Sequence, residues 1–399
     1  MKKHVLCKYP NHLKTFTKAY YQRKDRSMND NLICYDIKDV YNVKLHGRID
    51  NTLDVIPLMS NGQGIEVNAT GSELWVDLEA DYDFMEPWVA IEINGDLISR
   101  FMIDRGEHTI CLYRGIESGR TTRVKFYREL QAMSEDPRTK VILKSFRTDG
   151  NFMAPPFYER RLEFIGDSIC SGEGTYGSPD DEDWTAYCMS YSRTFINLTC
   201  KELDAESRII SQGGWGIFTG WDNDRRHVIK DFYEKQCGLA FGEENRKYGS
   251  DRAYDFASWD PDAVIINLGT NDAVAFNEAS FTDPETGETY KMRKNQDGSI
   301  VSEDEESIIK AAIDLIKMVR KDNPSSHIVW MYGMMGYDLS LVISDAINRY
   351  KAETHDNNIQ YLMLPAINKD TVGAREHPGL KAHEIAARIL TDYLKSVFE

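Results

Sequence analysis

The sequence predicts a two-domain α/β chain. An antiparallel β-sandwich with an N-terminal extension is expected over residues 1–158, and a doubly wound, five-stranded parallel sheet over 159–399. Three observations lead there. At 399 residues the chain is too long for one ordinary core. From about residue 35 to 147 it reads as short strands parted by turn residues, with no long amphipathic helix. After residue 160, apolar strands alternate with helical segments, the grammar of a parallel sheet covered on both faces.

Each element has its own signal. Residues 72–78 alternate apolar and polar with period two. Residues 88–93 form an apolar run closed by the turn Asn94-Gly95-Asp96, and 109–113 is a third strand. Gly150, Pro155 and Pro156 mark 149–159 as the linker. Beyond it, strands are expected at 161–166, 208–211, 263–268, 327–332 and 359–364. The clearest helix runs over 302–321, with a capping-box pattern at Ser302 and Glu305. Its apolar face is Ile308, Ala312, Leu315, Ile316 and Val319, and Pro324 follows its end. A final helix starts at Leu380. Two polar stretches, 222–258 and 275–303, read as surface insertions suited to rim a site.

Composition narrows the partners. With 41% hydrophobic and 28% charged residues this is an ordinary globular composition. A net charge of −16 repels nucleic acid and anionic lipid surfaces, so neither is an expected partner. No apolar run approaches membrane-spanning length. The start, Met1-Lys2-Lys3-His4, is interrupted by Lys8, Pro10, His12 and Lys14, which does not fit a secretory signal. Seven scattered cysteines, Cys7 among them, suit reduced thiols and argue against a disulfide framework or zinc site. A cytoplasmic location is therefore expected. A homo-oligomer stays open.

Three segments carry chemistry. Phe164-Ile165-Gly166-Asp167-Ser168 puts a serine at the exit of a strand. Asn267-Leu268-Gly269-Thr270-Asn271-Asp272 puts an amide at the exit of another, and Glu376-His377-Pro378-Gly379 puts a histidine just before the last helix. Ligands of such sheets bind beyond the carboxyl ends of the strands. Alone, each residue has a bland reading: Ser168 as a helix cap, Asn271 and Asp272 as bridges between loop amides, and Gly213, Gly214 and Gly216 as a flexible turn. Together they supply a nucleophile, oxyanion donors and a general base, the kit for acyl transfer. Of nine histidines, His383 is the competitor to His377, but its place inside the last helix beside Ile385 and Ala386 reads as structural. Trp215, Trp221 and Trp259 stand near these segments as candidate platforms for sugar rings. Trp215 is favoured by its glycine neighbours.

The three segments resemble the conserved blocks of the SGNH (GDSL-type) hydrolase superfamily, over about 160–399. The resemblance implies a flavodoxin-like sheet, Ser168 as nucleophile and His377 as base. It also implies an oxyanion hole of Ser168 N–H, Gly214 N–H and the Asn271 side chain, with Gly213 and Gly216 as alternatives to Gly214. A sandwich containing Leu45-His46-Gly47-Arg48, together with the block 259–272, is similar to carbohydrate esterase family two. Members join a jelly-roll to an SGNH domain and remove O-acetyl groups from plant polysaccharides. One position departs: most SGNH enzymes carry an aspartate three residues before the histidine, and here Ala374 stands there. Glu376 and Asp370 are candidate substitutes. The preferred expectation is a Ser–His dyad whose ring is oriented by a loop carbonyl.

The function these readings imply is a serine esterase acting on acetylated xylo- or manno-oligosaccharides through an acetyl-enzyme, with no metal or organic cofactor. Asp167, Trp215 and Trp259 are its expected substrate-binding residues. Two alternatives are an SGNH esterase, lipase or thioesterase on a non-carbohydrate ester, and a non-catalytic carbohydrate-binding protein.

Overall fold

The computed structural model describes residues 31–399. The start of the N-terminal extension, with Cys7 and the segment read for a signal, lies outside the described residues.

Eleven strands build the first part: β1 (Ile33–Asp36), β2 (Lys44–His46), β3 (Ile56–Pro57), β4 (Gly64–Ala69), β5 (Glu73–Asp81), β6 (Trp88–Ile93), β7 (Asp96–Met102), β8 (Gly106–Arg114), β9 (Thr122–Arg128), β10 (Lys140–Thr148) and β11 (Phe152–Met153). They form two antiparallel sheets. One has the order β1-β10-β5-β8 with β3 beside β10; the other runs β11-β4-β9-β6-β7 with β2 beside β4. Period-two alternation explains the arrangement. In β5, Leu74, Val76, Leu78 and Ala80 are buried, and they share one core with Ile65, Val67, Val89, Val124 and Phe126 of the other sheet. The turn between β6 and β7 takes Asn94 and Gly95 at positive φ, as a tight hairpin turn requires. The segment read as a linker is partly structured, because β11 within it pairs with β4.

The second part runs β12 (Arg160–Gly166), α1 (Ser168–Ser171), α2 (Phe195–Glu202), β13 (Ala205–Ser211), α3 (Lys230–Tyr233), α4 (Glu243–Lys247), β14 (Ala263–Asn267) and α5 (Thr270–Ala275). A small hairpin, β15 (Phe281–Thr282) and β16 (Thr289–Tyr290), precedes α6 (Ser302–Asp322), β17 (His327–Tyr332), α7 (Ser340–Thr354), β18 (Ile359–Met363) and α8 (Leu380–Phe398). The five long strands form a sheet of order β13-β12-β14-β17-β18, parallel throughout. Its residues are apolar toward both faces. Ile165, Val264, Ile266, Ile328 and Trp330 pack on α6 and α7. Leu162, Phe164, Ile265 and Val329 pack on α2 and α8. A parallel sheet is buried on both sides, which is why its strands read as unbroken apolar runs.

The five apolar residues predicted for the 302–321 helix are all buried, but its start differs. Val301 is the N-cap, no side chain caps the helix, and the Glu305 N–H bonds Val301 O at 3.0 Å. The capping box thus does not form; Ser302 already lies inside the first turn. No helix among the described residues is long and apolar enough to cross a membrane.

The two parts are joined by buried charge. Arg48, just after β2, reaches Glu163 of β12 at 2.8 Å, and its guanidinium lies 4.2 Å from the Tyr254 ring centre. Tyr233 Oη donates to the other oxygen of Glu163 at 2.6 Å. Behind the carboxyl end of the sheet, Asn61 of the first part donates to Cys170 O at 3.3 Å and accepts from Ser211 Oγ at 3.1 Å.

Candidate active site

Ser168 is the first residue of α1, directly after β12, and Asp167 is the helix N-cap, accepting from the Ile169 N–H at 3.0 Å. Gly166 is needed because a Cβ there would collide with Cys170 Sγ. His377 lies at the end of a tight turn before α8. Its Nε2 is 2.9 Å from Ser168 Oγ, and its Nδ1 is 2.7 Å from the backbone carbonyl of Arg375. A carbonyl can only accept, so Nδ1 carries the proton and Nε2 presents its lone pair to the serine hydroxyl. That is the arrangement of a general base beside a nucleophile. Glu376 and Asp370 are both exposed, and neither holds the ring.

The loop after β13 supplies backbone donors, and its hydrogen bonds separate the three glycines. The Gly213 N–H donates to Gln131 Oε1 at 2.8 Å, and the Gly216 N–H donates to His227 O at 3.1 Å. The Gly214 N–H has no acceptor among the described residues. Gly214 has φ +80°, and it lines the same cavity as Ser168. A Cβ on Gly216 would also overlap the Asp272 carboxylate. Asp272 accepts from the N–H groups of Ile217, Phe218 and Thr219 at 2.8, 2.8 and 3.1 Å, the loop-bridging role read from the sequence. Burial raises its carboxyl, and the three N–H bonds oppose the rise.

Asn271, in the first turn of α5, donates through Nδ2 to Trp215 O at 2.8 Å. The same nitrogen is 3.5 Å from Asp167 Oδ2, leaving its second hydrogen only weakly engaged at the cavity it lines. Burial pushes the Asp167 carboxyl up to about 7; the nearby Asp272 adds to the rise, and the Ile169 N–H opposes it. A carboxyl so close to neutral behind the serine repels a developing oxyanion less than a full charge would.

The cavity has a volume of about 440 Å³. The second part provides Ser168, Glu173, Trp184, Gly214, Trp221, Asn271, Arg375 and His377; the first part closes one wall with Met85, Gln131, Met133 and Glu135. Three expected substrate contacts are corrected. Trp215 is 4% exposed, stacked on His227 and packed against Phe232 and Phe241, because the glycine turn folds its ring inward. Trp259 lies before β14, at the opposite end of the sheet, with its Nε1 bonded to Glu206. Asp167 is fully buried and caps α1. Trp221, 46% exposed, and the half-buried Trp184 are the indoles that line the cavity. The insertions 222–258 and 275–303 contribute no lining residue; Phe232 and Phe241 of the first pack around Trp215 instead.

His383 is fully buried in α8, stacked on Phe195 and accepting from the Phe195 N–H at 3.2 Å. Burial lowers it to about 3, with the charge of His377 contributing. It is a neutral packing residue, as its place in the helix implied. Among the described residues, Asp222, Asp224 and His227 have ligand atoms within 4.8 Å of one another. Both Asp224 oxygens are already bonded by Arg226, at 3.0 and 2.7 Å, and none of the three residues lines the cavity.

Sequence reading did not single out Glu173, Arg375 or Gln131. Glu173 Oε1 accepts from Arg375 Nε at 2.7 Å, and its Oε2 is 3.8 Å from His377 Nε2. The one available signal was Gly172-Glu173-Gly174, an acid between two glycines shortly after the nucleophile.

No family model matches the chain. Among solved structures, it is similar to the acetyl xylan esterase Est2A from the rumen bacterium Butyrivibrio proteoclasticus. The identity is 49%, covering 92% of this chain and 98% of that one, with a TM-score of 0.90. A family two carbohydrate esterase from Clostridium thermocellum, solved with cellohexaose, superposes with a TM-score of 0.73 at 23% identity, covering 89% and 99% of the two chains. Cellulase/esterase CelE of Acetivibrio thermocellus is 24% identical over 342 residues, which are 84% of this chain and 37% of that protein, so the chain spans well under half of that relative. The chain belongs to carbohydrate esterase family two.

Proposed function

We propose that the protein is a serine esterase that removes O-acetyl groups from acetylated carbohydrates, with xylo- and manno-oligosaccharides as the substrate class. The observation that carries this reading is the 2.9 Å contact between His377 Nε2 and Ser168 Oγ, on a ring held by a carbonyl rather than a carboxylate. Ser168 Oγ attacks the acetyl carbonyl carbon and passes its proton to His377 Nε2. The N–H groups of Ser168 and Gly214 and the Asn271 amide hold the tetrahedral oxyanion. As the intermediate collapses, the C–O bond to the sugar breaks, and the departing oxygen takes the proton from Nε2. Water, deprotonated by His377, then attacks the acetyl carbon; the Ser168 Oγ–C bond breaks, Oγ regains the proton from Nε2, and acetate leaves. The likeness to Est2A supports acetylated xylan fragments as substrates.

The cavity supports a short acyl group beside a broad, partly aromatic rim, with Trp184 and Trp221 as candidate sugar contacts. We further propose that residues 1–158 act as a jelly-roll unit closing one wall of the cleft, and 159–399 as the catalytic unit. Cytosolic operation is part of the proposal and is supported by the free state of the six described cysteines. Ser168→Ala should abolish hydrolysis of 4-nitrophenyl acetate and of acetylated xylo- and manno-oligosaccharides. Activity at the parent rate would overturn the mechanism. In an acyl-chain series, a preference for long chains would overturn the carbohydrate assignment.

A further inference from the structure

We propose that Glu173 and Arg375 act together in place of the carboxylate that Ala374 does not provide. Glu173 is a positioning residue: through the Arg375 guanidinium it fixes the carbonyl that holds His377, and it sets the charge beside the proton-accepting nitrogen. The inference rests on the proposed Ser168–His377 reaction.

A carbonyl orients a ring only if its own turn is held still, and this turn is strained. Arg375 (φ 55°) and Glu376 (φ 57°) both occupy the left-handed region that residues with side chains rarely adopt. The contacts that hold it converge on Arg375. Its N–H donates to Asp181 O at 2.8 Å, its Nη1 to Glu182 O at 3.0 Å, and its Nε to Glu173 Oε1 at 2.7 Å.

Glu173 is in turn fixed to the nucleophile. It follows α1 directly, is buried, and its N–H donates to Ser168 O at 3.0 Å. The glycines on either side have φ of 81° and 79° and let the chain reverse beneath the histidine. At Gly174 a Cβ would stand 2.6 Å from His377 Cβ and 2.8 Å from Ala374 O, so the two segments meet backbone to backbone. The carboxylate therefore couples the nucleophile's segment to the base's segment.

Its second oxygen gives it an electrostatic part. Oε2 lies 3.8 Å from Nε2, the nitrogen that becomes positive when it takes the serine proton, and not beside Nδ1. Other ionisable groups near the ring are Arg375 in its own turn, Asp167 behind the serine, Glu135 on the wall of the same cavity, and the neutral, buried His383 of α8. Glu173 is thus the anion disposed to meet the imidazolium, and Arg375 moderates its charge.

The test is the pH profile of kcat/KM on 4-nitrophenyl acetate for E173Q, R375M, R375K and the double variant E173Q/R375M, with S168A alongside. E173Q should lower kcat by about 10–100-fold with little change in KM, less than the roughly 10⁴-fold that follows loss of an orienting carboxylate in a serine triad. The acidic limb should move to lower pH for E173Q and to higher pH for R375M, each by up to about one unit. R375K should recover the limb's position more fully than the turnover, since lysine keeps the charge but not the fork. The double variant should return the limb toward its parent position while kcat stays low. Limbs moving in the same direction, or parent kcat in both single variants, would overturn the inference. Should R375M not fold, the E173Q limb and the R375K turnover decide by the same criteria. An inactive S168A beside unchanged E173Q and R375M removes only this inference, whereas an active S168A removes the Ser–His reading itself.

Discussion

The two ends of the parallel sheet use similar residue types to opposite effect. At the amino ends, charge is neutralised in place. Lys44 pairs with Glu206 at 2.6 Å, Glu206 also takes the Trp259 indole N–H, and Arg160 meets Asp262 at 3.4 Å. Arg208 lies over the Trp259 ring at 4.3 Å. At the carboxyl ends, a hydroxyl, an imidazole, a carboxamide and the Gly214 N–H, which has no acceptor among the described residues, face one cavity. Buried polar groups normally find partners within the protein, so donors left open toward a cavity point to a ligand, whereas the paired charges at the amino ends point to adhesion.

The sharpest way to break this contrast is His377→Ala. It should lower kcat on acetyl esters by about 10⁴–10⁶-fold while leaving the melting temperature near the parent value. Purified variants assayed by initial rates and by thermal unfolding check it. The mirror experiment lies at the domain junction. Glu163→Gln leaves Arg48 buried against a neutral partner and should destabilise the fold by about 3–5 kcal/mol, with kcat of the folded protein unchanged. Chemical denaturation with residual-activity assays reads both quantities. Back at the open end, Asn271→Ala should cost about 10²–10³ in kcat, the usual effect of removing one oxyanion donor.

The last prediction is a pH dependence. His383 is lowered to about 3 in the folded protein from the usual 6.5, so below 6.5 the unfolded chain binds a proton that the folded one does not. Its contribution is full above 6.5 and is lost as pH falls toward 3, at about 1.4 kcal/mol per pH unit. His383→Asn should flatten that part of the stability profile, measured by denaturation across the same range.

The sequence made the carboxyl rim legible for a physical reason. Apolar runs reveal parallel strands, and a residue directly after such a run must emerge at one edge, so Ser168, Asn271 and the glycine loop could be placed without coordinates. Pro378 and Gly379, which set a loop directly before the last helix, singled out His377, and the alanine at 374 directed attention to a carbonyl. Glu173 and Arg375 were not legible because they are 202 residues apart and meet only through loops with unusual backbone angles. Gln131 was hidden because it comes from the other domain. Trp215 and Trp259 were misplaced because an aromatic beside a turn or strand does not reveal which way its ring faces. Ser302 shows the same limit at a helix start, where a matching pattern sits one residue inside the actual cap.

The central claim is that an acetyl group resides on Ser168 during turnover. Acid-quenching the enzyme during hydrolysis of 4-nitrophenyl acetate, then mapping peptides by mass spectrometry, tests it directly. One acetyl group is expected on the peptide containing Ser168, absent from Ser168→Ala. Sustained turnover by Ser168→Ala, or an acetyl group carried catalytically by another residue, would contradict it.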